Sequence, residues 1–215
     1  MGNLFDPKHP LMRGLTELAN LLLLSICWVI FSIPLFTIGP ATAALYYGTM
    51  KIVQGENISV LRCFLKSFRE NLKQGIVLSV IFGVTAVLIY YDYLFSYIVE
   101  ESLGDLLRIV FMVLAAIWIA LASYTFPLQA LFQNSLKHTL TNALLLSLIH
   151  LGKTLALVAL QLIPLVVCLV IPELFVRLLP LWLFAAPGAI AYFATLCMRK
   201  VWAGLLEQAE QNTAS

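Results

Sequence analysis

Charge is what this chain has least of. Only 11% of its 215 residues are Asp, Glu, Lys or Arg, against about 25% in an ordinary soluble domain. With 61% apolar residues and a mean hydropathy of +0.95, that scarcity excludes a water-soluble globular domain and points to an integral membrane protein. Cysteine is sparse and unpatterned. Cys27, Cys63, Cys168 and Cys197 form no CxxC pair and three of them lie in apolar segments, so buried free thiols are expected instead of a disulfide framework or a zinc site. His138 and His150 stand too far apart in sequence to share a metal-ligand spacing. There is no P-loop, HExxH helix, GxSxG elbow or pair of carboxylates inside an apolar run. No enzyme activity, catalytic residue, cofactor or metal is therefore expected. A cleavable signal peptide is not expected either. The first apolar run is too long for one and lacks a small-residue cleavage site, and Asp6 stands where a myristoylation signal needs Ser or Thr.

Long apolar runs are abundant. Leu15 to Ile33, Gly75 to Phe95, Leu106 to Phe126, Thr154 to Ile171 and Leu178 to Met198 each suit a membrane helix of about 20 residues. The expected fold is all-α, a polytopic membrane bundle of five long transmembrane helices. A short Pro-initiated helix forms a hairpin with the first, and amphipathic helices lie on the cytoplasmic side. As one integral membrane domain over 1–215, it divides into a helical hairpin at 14–54 and an amphipathic cytoplasmic helix at 57–74. Transmembrane helices follow at 75–97, 106–127, 153–172 and 178–198, then a cytoplasmic tail at 199–215.

The hairpin rests on SIPLFTIGPATAALYY, residues 32–47. Pro34 cannot continue the hydrogen-bond ladder of the first helix. Gly39-Pro40 punctuates the chain, and Pro40 suits the first turn of a new helix. Ala41, Ala43 and Ala44 would let that helix pack closely. A turn here keeps Lys8 and Arg13 on the same side as Lys51, Arg62, Lys66, Arg69 and Lys73. The bias of cytoplasmic loops toward Lys and Arg then places both termini inside and the acidic Glu100–Asp105 loop outside. The alternative is five crossings with the N-terminus outside. Residues 34–50 also align without gaps on 180–196, with Pro34/Pro180, Leu35/Leu181, Ala43/Ala189, Tyr46/Tyr192 and Thr49/Thr195 identical; a repeat and chance are both open readings.

Three sets of residues could carry function. Arg62, Lys66, Arg69 and Lys73 form one flank of ENISVLRCFLKSFRENLKQG, residues 56–75, next to an apolar face of Leu61, Phe64, Leu65, Phe68 and Leu72. That pattern suits a helix lying in the headgroup plane, anchoring to lipid or docking a partner. Nucleic acid is not expected, because the patch belongs beside the membrane. Pro34, Gly39, Pro40, Ala44, Pro187 and Gly188 are turn and packing positions, with Pro187 expected to kink the fifth run. Gln161, Asp92, Tyr46 and Tyr47 are the intramembrane polar candidates. Gln161 is expected to make an interhelical hydrogen bond, while Asp92, among Tyr90, Tyr91 and Tyr93, is expected at a wet boundary. Ser25, Ser32, Thr37 and Ser123 are expected to bond their own helix backbones.

The blocks PLMRGLTELANLLLL, IPLFTIGPATAALYYGTMKIVQGE, FLKSFRENLKQ and TNALLLSLIHLGKTL together resemble the YesL family of bacterial membrane proteins, a domain of unknown function. TIGPATAALYY followed by SFRENLKQ is the most specific part. The resemblance implies a Gram-positive setting beside carbohydrate uptake systems, and it carries over no catalytic residue. Two functions compete. One is a non-catalytic accessory subunit whose partners are the bilayer and a sugar ABC transporter permease or a second copy of the chain. The other is a transporter of a small solute or lipid in its own right. The apolar runs hold few hydrogen-bonding groups for a polar solute, which favours the accessory role.

Overall fold

The computed structural model describes residues 10–99, 101–132 and 134–214. Among them every regular element is helical: α1 (Pro10–Phe31), α2 (Ile38–Val53), α3 (Val60–Phe95), α4 (Glu101–Leu131), α5 (Leu136–Ile149), α6 (Leu151–Val170), α7 (Pro172–Arg177), α8 (Leu179–Phe184) and α9 (Ala186–Ala214), with a 3-10 turn at Leu35–Thr37 between α1 and α2. Five helices, α1, α3, α4, α6 and α9, are long and apolar enough to cross a membrane. Their outward faces carry Leu15, Leu18, Val80, Val84, Ile109, Val113, Leu165 and Leu169, all exposed. Exposed aliphatic surface on this scale is stable against lipid chains, and in water it would be an aggregation surface.

The chain does turn at Pro34. Thr37 donates its hydroxyl to the carbonyls of Phe31 and Pro34, both at 2.6 Å, closing α1 onto the next helix. From there α2 runs back along α1. Trp28 Nε1 donates to Thr42 Oγ1 at 3.0 Å, Gly48 faces Leu24, and Gly55 faces Arg13. Arg13 and the α2–α3 loop thus share one end of the bundle. That loop bends at Gly55, whose φ of +78° favours glycine, and Lys51 closes it with a 2.6 Å bond to Glu56. This bond raises the Lys51 pKa, more than the opposing desolvation lowers it.

Although α2 has only 16 residues, it is the centre of the molecule. It touches α1, α3, α4 and α9, and eleven of its residues are buried, among them Ala41, Ala43, Ala44 and Tyr46. The small side chains expected to allow close approach are the ones through which it packs. Pro40 is in the first helical turn, so it costs no ladder bond. It is also fully buried, with Gly75 of α3 against its ring. Pro40→Ala would therefore leave a void and be less mild than the first-turn position alone suggests.

Three expected boundaries differ. The helices expected at 57–74 and 75–97 are one continuous α3 of 36 residues, about 54 Å long. Gly75 does not break it, since its missing Cβ is what lets Pro40 approach. The run at 178–198 is instead divided at Ala185 into α8 and α9. Pro187 sits in the first turn of α9 and starts that helix; it does not kink a continuous one. The expected tail at 199–215 continues α9 to Ala214.

Candidate functional site

Two helix starts are held the same way. The first-turn N–H groups of a helix lack partners within it. At α2, Gly39 N donates to Ser79 Oγ of α3 at 2.7 Å, while Ser79 Oγ donates to the Gly75 carbonyl at 2.8 Å. At α9, Gly188 N donates to Ser25 Oγ of α1 at 2.8 Å, while Ser25 Oγ donates to the Leu21 carbonyl at 2.9 Å. Each serine thus satisfies its own helix and caps another at once. Each glycine is required by the same contact: a Cβ on Gly39 would overlap Gly75 O and Ser79 Oγ, and one on Gly188 would lie 2.5 Å from Ser25 Oγ and 2.6 Å from Leu21 O. The two sequences aligned above share part of an architecture: a short helical piece, Leu35–Thr37 or Leu179–Phe184, followed by a helix with proline in its first turn. The capped glycines do not share a register, because Gly39 aligns with Ala185. Ser25 and Ser123 bond their own helices as expected, but Ser32 Oγ is buried and has no partner among the described residues. Ser25→Ala and Ser79→Ala should each lower stability in detergent by about 1–2 kcal/mol through the orphaned N–H. The losses should add, because the two sites share no partner; thermal unfolding of the singles and the double measures both.

Between α1, α2, α4, α6, α8 and α9 lies a cleft of about 480 Å³. Gln161 of α6 donates from Nε2 to Ser123 Oγ of α4 at 2.7 Å, which is the expected interhelical bond. Tyr46, only 7% exposed, lines the same cleft. Indoles of Trp28, Trp118 and Trp182 complete much of its wall, and no Asp, Glu, Lys, Arg or His is in the lining. Two prolines loosen the helices here. Pro127 in α4 and Pro164 in α6 cannot donate to the carbonyls of Ser123 and Leu160 four residues earlier. Trp182 Nε1 is buried without a partner among the described residues.

The structure brings Gln161 and Tyr46 together and leaves the other two polar candidates elsewhere. Asp92 is exposed near the far end of α3. Tyr47 turns to the opposite end, with Lys51 Nζ 5.5 Å from its ring centroid. Sequence reasoning named neither Ser123 as the partner of Gln161 nor the indoles as its neighbours. The signal for Ser123 was present in Pro127, which marks a loosened turn starting at Ser123.

Arg62, Lys66, Arg69 and Lys73 are all exposed along the first half of α3. None takes part in the three ion pairs found among the described residues. Ser59, Leu61, Arg62, Leu65, Lys66 and Arg69 border a shallow groove of about 630 Å³. The apolar face beside them is only partly used: Phe64 is buried, stacked on Phe68 and tilted against Phe31, whereas Leu61 is 58% exposed.

Residues 21–93, covering the second half of α1, all of α2 and nearly all of α3, match the model of a protein family described as "Protein of unknown function, DUF624". The uncharacterised protein YteU of Bacillus subtilis (strain 168) is 29% identical over 140 residues, a stretch covering 63% of this chain and 63% of that protein. No solved structure matches the chain. The family match covers the unit in which Gly39, Gly75 and Ser79 meet.

Proposed function

We propose that this multi-pass membrane protein is a non-catalytic, partner-binding component of a bacterial carbohydrate uptake system, docking through the first half of α3. The observation that carries this reading is the row Arg62, Lys66, Arg69 and Lys73, exposed and free of ion pairs among the described residues, beside the exposed Leu61. Unpaired cations on a rigid helix are suited to an acidic surface, and they lose no internal bond on engaging it. The uptake setting is what the likeness to the YesL family implies. A sugar ABC permease with an acidic cytoplasmic face is the partner of this chemistry. Transport in its own right is the weaker reading, because the cleft offers few polar groups for a hydroxyl-rich solute.

Replacing Arg62, Lys66, Arg69 and Lys73 together by Gln should leave the protein inserted, since the apolar stretch of α3 from Gly75 onward is unaltered. Recovery of a permease from mild detergent should fall at least tenfold, and wild-type recovery should itself weaken as salt rises. Undiminished recovery by the quadruple variant would remove the docking role of α3. Uptake of a sugar by the purified protein alone in liposomes would favour transport instead.

A further inference from the structure

The cleft around Gln161 combines features that lipid contact does not require. Four of the five long helices and α2 contribute to it, so it lies among the spans and outside the aqueous ends. Its wall is mostly aliphatic and indole, yet it also carries Gln161, Ser123, Thr42 and Tyr46. Tyr46 is more than nine-tenths buried. The Ser123 and Leu160 carbonyls are released by Pro127 and Pro164. Trp182 Nε1, in the same wall, is buried without a partner among the described residues, and a donor at such depth is costly unless something engages it.

We propose that this cleft is a binding site for a neutral amphiphile, an apolar chain lying against the indoles with an uncharged hydroxyl, amide or ester group held at Gln161 and Tyr46. The lining selects this class by exclusion on three sides. With no ionisable Lys, Arg, His, Asp or Glu in the wall, a phosphate or ammonium headgroup would be desolvated without a counter-charge. A sugar would bring more hydroxyls than Gln161, Ser123, Thr42 and Tyr46 can satisfy. A bare hydrocarbon would offer no partner to Gln161 Oε1, the Tyr46 hydroxyl or Trp182 Nε1. A diacylglycerol-like head, with one hydroxyl and ester carbonyls, offers a donor for Gln161 Oε1 and acceptors for the Tyr46 hydroxyl. Occupancy at this site is independent of the docking surface on α3.

The test is photolabelling of the full-length protein in nanodiscs, using two diazirine lipids with identical acyl chains. One is a diacylglycerol and the other a phosphatidylglycerol. The diacylglycerol should label the segments around Trp118–Phe126 and Trp182–Ala191 at least fivefold more than the phosphatidylglycerol, while the outer faces of α3 and α4 should label equally with both. Tyr46→Phe removes one oxygen and keeps the packing. Gln161→Leu removes the amide. Each should lower diacylglycerol labelling of the cleft about fivefold, the value of one lost hydrogen bond. Equal cleft labelling by the two lipids would overturn the proposal, as would Tyr46→Phe labelling at the wild-type level. The second result stands even if Gln161→Leu proves too unstable to purify.

Discussion

Gly39→Val should all but abolish recovery of folded protein from detergent, and Gly188→Val should come close to it. At Gly39 the first atom of any side chain would overlap the Gly75 carbonyl oxygen and Ser79 Oγ, and would stand 2.9 Å from Phe126. The carbonyl belongs to the backbone of α3, so no rotamer change relieves the clash. The helices must separate, and the 2.7 Å bond from Gly39 N to Ser79 goes with them. Overpacking alone costs about 1–3 kcal/mol, an orphaned buried N–H about 1–3 more, and valine adds a branched Cβ where a single carbon already fails. The sum approaches the total stability of many proteins, about 5–15 kcal/mol. Ala44→Leu should cost about 1–3 kcal/mol by the same overpacking, because Ala44 is fully buried. Pro40→Ala should fall below both. Gly83 is the control: nothing lies within 4 Å of its Cβ position, so Gly83→Ala should be neutral or stabilise by up to about 1 kcal/mol. Melting of the five variants by fluorescence-detected size exclusion ranks them. A Gly39→Val protein that melts with wild type would mean that α2 does not pack on α3.

The hairpin was legible because its causes are local. Pro34 ends one ladder, Gly39-Pro40 begins another, and the alanines after them leave room. The five spans were legible because lipid imposes a length and a composition on each helix separately. What escaped reading was set by contacts across the bundle. Gly75 looks like the start of a span when read alone. Only the presence of Pro40 against it shows that the glycine serves an approach and that α3 continues through it. Likewise, Pro187 in an apolar run reads as a kink until Ser25 is seen capping Gly188, which makes Ala186 a new helix start. Tyr46, Tyr47, Asp92 and Gln161 were equal candidates along the chain. Their separation into one cleft, one basic end and one far end follows from the antiparallel course of α1 against α2 and from the length of α3. Neither can be read from single positions.

The same antiparallel course predicts a side-selective labelling pattern. In a variant with Cys27, Cys63, Cys168 and Cys197 replaced by alanine, a cysteine at Gly14 and a cysteine at Asn57 should react from the same face of the membrane. A cysteine at Ser102 should react from the other. All three positions are exposed, and one span, α3, separates Asn57 from Ser102. Arg13 lies against Gly55, so the first helix cannot begin on the face opposite the α2–α3 loop without undoing the Trp28–Thr42 bond and the packing of Leu24 on Gly48. Arg13, Lys51, Arg62, Lys66, Arg69 and Lys73 gather at that end, and the enrichment of cytoplasmic segments in Lys and Arg predicts that it faces the inside. An impermeant maleimide added to intact cells should therefore label Ser102→Cys and spare Gly14→Cys and Asn57→Cys until the cells are opened. Two failures carry different meanings. Labelling of Gly14→Cys together with Ser102→Cys would separate α1 from α2 and remove the hairpin. Labelling of Gly14→Cys together with Asn57→Cys, with Ser102→Cys protected, would keep the hairpin and invert the protein, placing the cations of α3 where no cytoplasmic partner could reach them.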